Sequence, residues 1–308
     1  MILSVSRRTD IPAFYFDWFL NRLKEGFLLV RNPFNPSQVS RLALAPPGLE
    51  CIVFWTKNPQ PMLARLCELE PYPYYIQFTL HHYGLEIESR LPELESRLDT
   101  FRRLSELLGR ERMVWRYSPI ILGGPYTVEY HLDAFGRLAS ALSGYTDECK
   151  LSFLEFYSKI AGRMASLGLV DGPVEEKYAL AQQLESLARE QSIAVSACGQ
   201  PDLRPAGIAL SSCIDGRRIQ KVTGRPMSLR KDPNQRGVCN CVKSIDVGSY
   251  QTCLNGCVYC YANHSHSAAC RKAARYQPLS PLLCDQERPG DKISDRKIRL
   301  HGEDRLIF

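Results

Sequence analysis

No apolar run in this 308-residue chain approaches the ~18 residues that a membrane-spanning helix needs, and the opening Met1-Ile2-Leu3 stops at Ser4. A secretory leader is therefore not expected. Ser6-Arg7-Arg8 has the form of a twin-arginine export signal, but Asp10 and Pro12 stand where its apolar region would begin. There is no internal repeat beyond an alternation of strand and helix, and no low-complexity tract. Nor is there a strong excess of one charge, since the net value is +6. With 44% hydrophobic and 23% charged residues the composition is that of an ordinary globular protein. The 12 cysteines do not form the even framework of a small secreted module, and five of them (Cys239, Cys241, Cys253, Cys257, Cys260) fall within positions 239–260. Such crowding argues for a metal site in a reducing compartment rather than for disulfides. The expectation is a cytoplasmic protein without membrane contact.

What is present reads as repeated strand–helix units. Strand candidates are Ile2–Ser6, Phe27–Arg31, Cys51–Trp55, Tyr74–Phe78, Met113–Tyr117, Leu151–Tyr157 and Ile193–Ala197, with Ser244–Gly248 as an eighth. Helical patterns lie at Phe14–Lys24, Pro61–Leu69, Pro92–Leu108, 128–142, Val174–Gln191 and Ser267–Tyr276. Strands apolar throughout and separated by helices argue for a parallel sheet covered on both faces. Eight units suggest a (β/α)8 TIM-like barrel, whose functional loops follow the carboxyl ends of its strands. On this reading residues 1–198 supply barrel units one to seven. Residues 199–242 form an irregular basic, Cys-containing segment over the mouth. Residues 243–276 give the last strand, a cysteine loop and a helix, and residues 277–308 a charged surface tail.

The most informative stretch is Ser249 to Asn263, where Cys253, Cys257 and Cys260 are spaced C-x3-C-x2-C, with Gly256 before the second and tyrosines flanking the third. Thiolates are soft ligands that suit iron–sulfur clusters and zinc. A cubane held by three cysteines keeps one iron without a protein ligand, unlike the four-cysteine cluster of an electron carrier. Zinc sites usually come as two separated C-x2-C pairs, so the spacing favours iron–sulfur, with a zinc knot as the alternative. Four further thiols, Cys198, Cys213, Cys239 and Cys241, suffice for a second cluster or a structural zinc. The competing readings are buried apolar cysteines at 198 and 213, or a fourth ligand to the first cluster from Cys239 or Cys241. The other cysteines (51, 67, 149, 270, 284) show no ligand spacing.

From Tyr250 to Ala262 the chain reads Tyr-x-x-Cys-x-x-Gly-Cys-x-Tyr-Cys-Tyr-Ala, and this resembles the cluster loop of the radical S-adenosylmethionine (SAM) superfamily. The likeness implies a [4Fe-4S] cluster on Cys253, Cys257 and Cys260 whose open iron chelates SAM. It further implies reductive cleavage of SAM to a 5′-deoxyadenosyl radical, and an electron donor of the ferredoxin or flavodoxin kind. Tyr259, inside the motif, is a candidate cofactor contact. In that superfamily the loop follows the first barrel strand, whereas here it follows the last candidate. A circular permutation, with residues 244–250 as the first strand and 2–6 as the next, reconciles the two. Arg7 to Asp10 would then lie where the SAM amino group is held. The usual Gly-Gly-Glu is absent, and Asp10 becomes the candidate acceptor. The chain as a whole resembles the bacterial family described as domain of unknown function 1848. The residues carrying this are Ser6–Pro12, Arg31–Asn35, Phe54–Pro59, Trp115–Pro119 and the block from Cys239 to Asn263.

Glu155 is a second catalytic candidate, because a carboxylate in an apolar strand needs a partner, and Arg116 or Lys159 could supply it. His81 and His82 follow a strand end and could meet substrate, or form a half-exposed loop pair. His264 and His266 fit a loop or helix cap better than a ligand pair. Trp55, Trp115, Tyr117 and Tyr157 could line a pocket, with core packing as their default role. Seven Lys/Arg and one acid between Arg217 and Arg236 suit a phosphorylated substrate or nucleic acid, or else a solvated connector. The alternatives to a radical SAM enzyme are an iron–sulfur protein of electron transfer or sensing, and a zinc-stabilised barrel.

Overall fold

The computed structural model describes residues 1–200, 203–299, 301 and 306–307. Eight strands form one sheet: β1 (Ile2–Val5), β2 (Cys51–Thr56), β3 (Tyr74–Thr79), β4 (Met113–Ile120), β5 (Glu148–Phe153), β6 (Ala194–Cys198), β7 (Ala209–Ser211) and β8 (Ile245–Asp246). Their order is β7-β6-β5-β4-β3-β2-β1-β8, and every pairing is parallel. The last strand in sequence thus lies beside the first, with Leu3 opposite Ile245 and Ser4 opposite Asp246. Among the described residues no pairing joins β7 to β8.

The count of eight is reached with a different membership from the one the sequence suggests. Phe27–Arg31 is not in this sheet. It turns back within a few residues and pairs antiparallel with Gln38–Ala43, which in turn takes Lys292–Asp295 in parallel. A parallel neighbour would need a crossover of a dozen or more residues, and the hairpin bond from Asn32 N–H to the Gln38 carbonyl forecloses one. Ala209–Ser211, read as irregular, supplies the eighth strand instead. The strand expected at Leu151–Tyr157 starts and ends earlier, at Glu148–Phe153.

Alternation along the strands divides the sheet into two unlike faces. Leu3, Val5, Ile52, Phe54, Ile76, Phe78, Trp115, Tyr117 and Leu151 form a large apolar core with the helices. Those helices include Phe16–Glu25, Leu94–Leu108, Val128–Leu142 and Val174–Glu190. The opposite face carries Ser4, Trp55, Gln77, Arg116, Lys150, Ser196 and Cys198, and the 213–242 segment covers part of it. Lys150 is fully buried there against Glu148 Oε1 (2.7 Å) and Ser211 Oγ (3.2 Å).

The 199–242 segment is more ordered than its composition suggests. Asp215 caps a helix at Gly216–Thr223, and Arg218 reaches inward to Asp147 and Glu148, both at 2.8 Å. That guanidinium is a structural tie rather than part of a solvated connector. The tail after 276 also packs inward: Leu282, Leu283 and Cys284 are buried, and Arg31 binds Asp285 and Asp291. No described helix is long and apolar enough to cross a membrane.

Candidate metal centre

The cysteine loop lies over the carboxyl ends of the parallel strands, held by the segments that leave them. Asp246, at the end of β8, accepts hydrogen bonds from Ser4 Oγ (2.9 Å), Ser6 Oγ (2.6 Å) and the Arg7 amide (2.8 Å), stitching the root of the loop to β1. Tyr261 donates to the Arg7 carbonyl (2.8 Å) and Tyr15 to that of Thr252 (2.6 Å). Val258 N–H bonds the Ile87 carbonyl at 3.0 Å, and Glu88 bridges to Cys257 along the backbone. Arg163 reaches the Cys260 carbonyl at 3.3 Å. Gly256 sits at φ +72, where an added Cβ would lie 2.5 Å from Ser89 Oγ. That position in the motif needs both the left-handed backbone and the missing side chain.

The three cysteines are partly exposed as residues at this mouth. Burial pushes the Cys253 thiol up to about 12 and raises Cys257 and Cys260 as well. Opposing this, the nearby backbone amides of Asn255 and Asp10 favour the Cys253 thiolate, and those of Ala262 and Asn263 the Cys260 thiolate. Lys57 lies near Cys257 and favours its thiolate. Amide donors and a cation aimed at sulfur are what an anionic thiolate cluster needs from its surroundings. The donor set therefore fits a cluster in which each thiolate takes its own iron. Among the described residues no three His, Cys, Asp or Glu side chains converge on the position of a single ion.

Asp10 is engaged in holding the loop. It caps the short helix Ile11–Phe14 by accepting from Ala13 N (3.1 Å), and also accepts from Lys57 N (2.8 Å) and Asn255 Nδ2 (3.0 Å). The Thr56 hydroxyl is a further donor, and burial is the main cause that raises the carboxyl above its usual range. These donors tie the Asp10 carboxylate to the loop and to the segment after β2, so that it positions the loop. Glu155 likewise differs from expectation. It lies past β5, partly exposed, and pairs with Arg236 and with Tyr157 OH (2.5 Å) rather than with Arg116 or Lys159. Tyr259 gives its hydroxyl to Glu88.

Glu88, in an aperiodic loop that carries no sequence signal, is the residue the sequence did not disclose. Fully buried, it binds Lys57 Nζ at 2.7 Å and takes His81 Nδ1 at 3.3 Å, with Arg97 Nη1 at 4.0 Å. Desolvation opposes its charge, yet Lys57 and these partners hold its carboxyl well below the usual range. His81 is fully buried and, through burial and the Lys57 charge, has its pKa lowered to about 4, which keeps it neutral. His82 is exposed.

The second set of cysteines meets on the polar face of the sheet. Cys198 lies beside Cys213 and Cys241, and Cys241 beside Cys213 and Cys239. The loop cysteines instead feel one another and the charges of Asp10, Lys57 and Glu88. Trp55 faces the quartet, with Arg116 and Arg7 over its ring at 5.1 and 5.8 Å. Trp115 and Tyr117 lie in the helix-side core, and Tyr157 is exposed beside Tyr261. His266 pairs with Cys270 at 3.2 Å at the start of the helix His266–Ala273, which Ser265 caps. A cavity of about 290 Å³ opens at the root of the loop. It is lined by Ser249 and Tyr250 and by four cations, Arg8, Arg31, Lys272 and Arg288.

A family model spans residues 2–262, from β1 through the last cysteine of the loop. The chain belongs to the family Domain of unknown function (DUF1848). Both cysteine groups lie inside the part of the chain that defines DUF1848. A comparison with curated proteins found no match.

Proposed function

We propose that this DUF1848 chain is an iron–sulfur enzyme of the radical SAM kind. Its Cys253, Cys257 and Cys260 would hold a [4Fe-4S] cluster at the carboxyl ends of the strands. The observation that carries the reading is the loop itself: three partly exposed cysteines held over the strand ends, two of whose thiolates are favoured by nearby backbone amides and the third by Lys57. When bound, such a cluster supplies an electron to SAM and an iron free to bind it, breaking a C–S bond to give methionine and a 5′-deoxyadenosyl radical. The chain's own residues act around it. Asp10 and Asn255 fix the loop, and Lys57 offsets thiolate charge while Glu88 holds the lysine in place. Tyr259 is fixed by Glu88 and contributes its ring, 5.4 Å from the Lys57 ammonium.

The placement of β8 beside β1 supports reading the sheet as a β/α barrel whose first strand comes last in sequence. The reading further proposes a reducing, cytoplasmic setting and a ferredoxin- or flavodoxin-like electron donor. For a phosphorylated substrate the cavity by Tyr250 offers Arg8 and Lys272, since its Arg31 and Arg288 pair with Asp285, while in the 217–236 segment Arg218 is occupied internally. Electron paramagnetic resonance of the dithionite-reduced protein tests this directly. SAM is expected to change the spectrum of a cluster that Cys257→Ala abolishes. A spectrum indifferent to SAM would leave an electron-transfer or sensing protein. Colourless, zinc-loaded protein would leave a structural barrel.

A further inference from the structure

We propose that Cys198, Cys213, Cys239 and Cys241 hold a second metal centre, an iron–sulfur cluster ligated by all four. The proposal stands apart from the SAM reading and does not rest on it. Three separate segments bring these thiols together: Cys198 ends β6, Cys213 follows β7 by two residues, and Cys239 and Cys241 return on a later stretch. That stretch is fastened by Val242 N–H to the Ile214 carbonyl (3.1 Å) and by Asp232 N–H to the Cys241 carbonyl (2.9 Å). The Ile214 amide also points at Cys241 Sγ, at 3.4 Å. Cys213, Cys239 and Cys241 are buried, and all four belong to one cluster of side chains.

The charge around them gives the second reason. Arg116 is enclosed on the polar face and donates to Cys213 Sγ at 2.9 Å, with Gln77 Oε1 (2.9 Å) and Ser118 Oγ (3.2 Å) as its other partners. Among the described residues no carboxylate lies within ion-pair distance of Arg116, so its charge lacks an acidic counterpart. A half-buried guanidinium whose neighbours are a thiol, an amide, a hydroxyl and the Trp55 ring has no anion to balance it, whereas thiolates bound to metal supply the missing negative charge. Zinc would need the four sulfurs at about 2.3 Å from one ion. No three described side chains of ligand type converge in that way, while a cluster seats each thiolate on its own iron. Assembly takes two ferrous and two ferric ions with four sulfides, and releases the four thiol protons as the thiolates bind.

The test uses the full chain carrying Cys253→Ser, Cys257→Ser and Cys260→Ser, reconstituted without oxygen with equal ferrous and ferric iron and with sulfide. About four irons and as many sulfides per chain should remain, with a brown absorption. No bound iron, or zinc in its place, overturns the proposal, as does a disulfide among the four cysteines. Iron equal to that of the unaltered chain would support this site and remove the three-cysteine one. In the reciprocal variant, Cys213→Ser with Cys239→Ser, about half the iron should be lost, against none for Cys270→Ser. Full retention in the reciprocal variant overturns the proposal. If that variant does not fold, the triple variant decides alone.

Discussion

Glu88 keeps its charge where water cannot reach it, because Lys57, His81, Arg97 and Tyr259 surround it. Removing one partner of such a buried pair costs about 3–5 kcal/mol, since the other charge is then stranded. Glu88→Gln should therefore lower the unfolding free energy obtained from urea titration by an amount in that range, and an unchanged value would mean that Lys57 finds another anion. Gly256 makes a second residue-scale case. Its alanine variant must bear a left-handed backbone, at about 1–2 kcal/mol, and a Cβ 2.5 Å from Ser89 Oγ. Gly256→Ala should bind less iron, and adding Ser89→Ala should restore part of the loss. No recovery would show that backbone strain alone acts. The motif marks Gly256 as special in the sequence, but the reason lies in a loop 167 positions away, which no local pattern reveals. Asp10 was visible as a conspicuous acid after β1, yet its role depends on Asn255, at the other end of the chain.

At the scale of elements, seven of the eight sheet strands were legible in the sequence, because a strand buried on both faces announces itself through composition. Phe27–Arg31 has the same composition and another fate, decided by the hairpin after it. Ala209–Ser211 was silent because three residues carry no periodicity. The helix Val128–Leu142 was read to the residue, and it brings a pH dependence with it. His131 is buried, takes the Tyr117 hydroxyl at Nδ1 (2.8 Å) and gives Nε2–H to the Ile121 carbonyl (2.7 Å). Burial lowers its pKa from 6.5 to about 4. The folded state thus binds a proton less readily than the unfolded one. Its stabilising contribution is complete above pH 6.5 and is lost as pH falls from there towards 4. Urea unfolding across this range should show stability falling with pH, with a shallower slope in His131→Asn. An identical slope in the variant would assign the dependence elsewhere, with His81 the next group to examine.

Across the whole molecule, the chain closes a contact between its two ends. β8 pairs with β1, and Asp246 is anchored by Ser4, Ser6 and Arg7, which delivers the cysteine loop to segments leaving β1, β2 and β3. The spacing of Cys253, Cys257 and Cys260 set that trio apart in the sequence, and Cys198, Cys213, Cys239 and Cys241 stood out only as four further thiols. How the four come together was not legible, since it depends on β6, β7 and a long return. The account's central claim is that the three-cysteine loop carries a cluster with an iron left for SAM. The most direct measurement incubates the anaerobically reconstituted, dithionite-reduced chain with SAM and quantifies 5′-deoxyadenosine. The account predicts that it forms with the unaltered chain and with Cys270→Ser, and falls to background with Cys257→Ala. Background levels from a fully iron-loaded, reduced chain would contradict it.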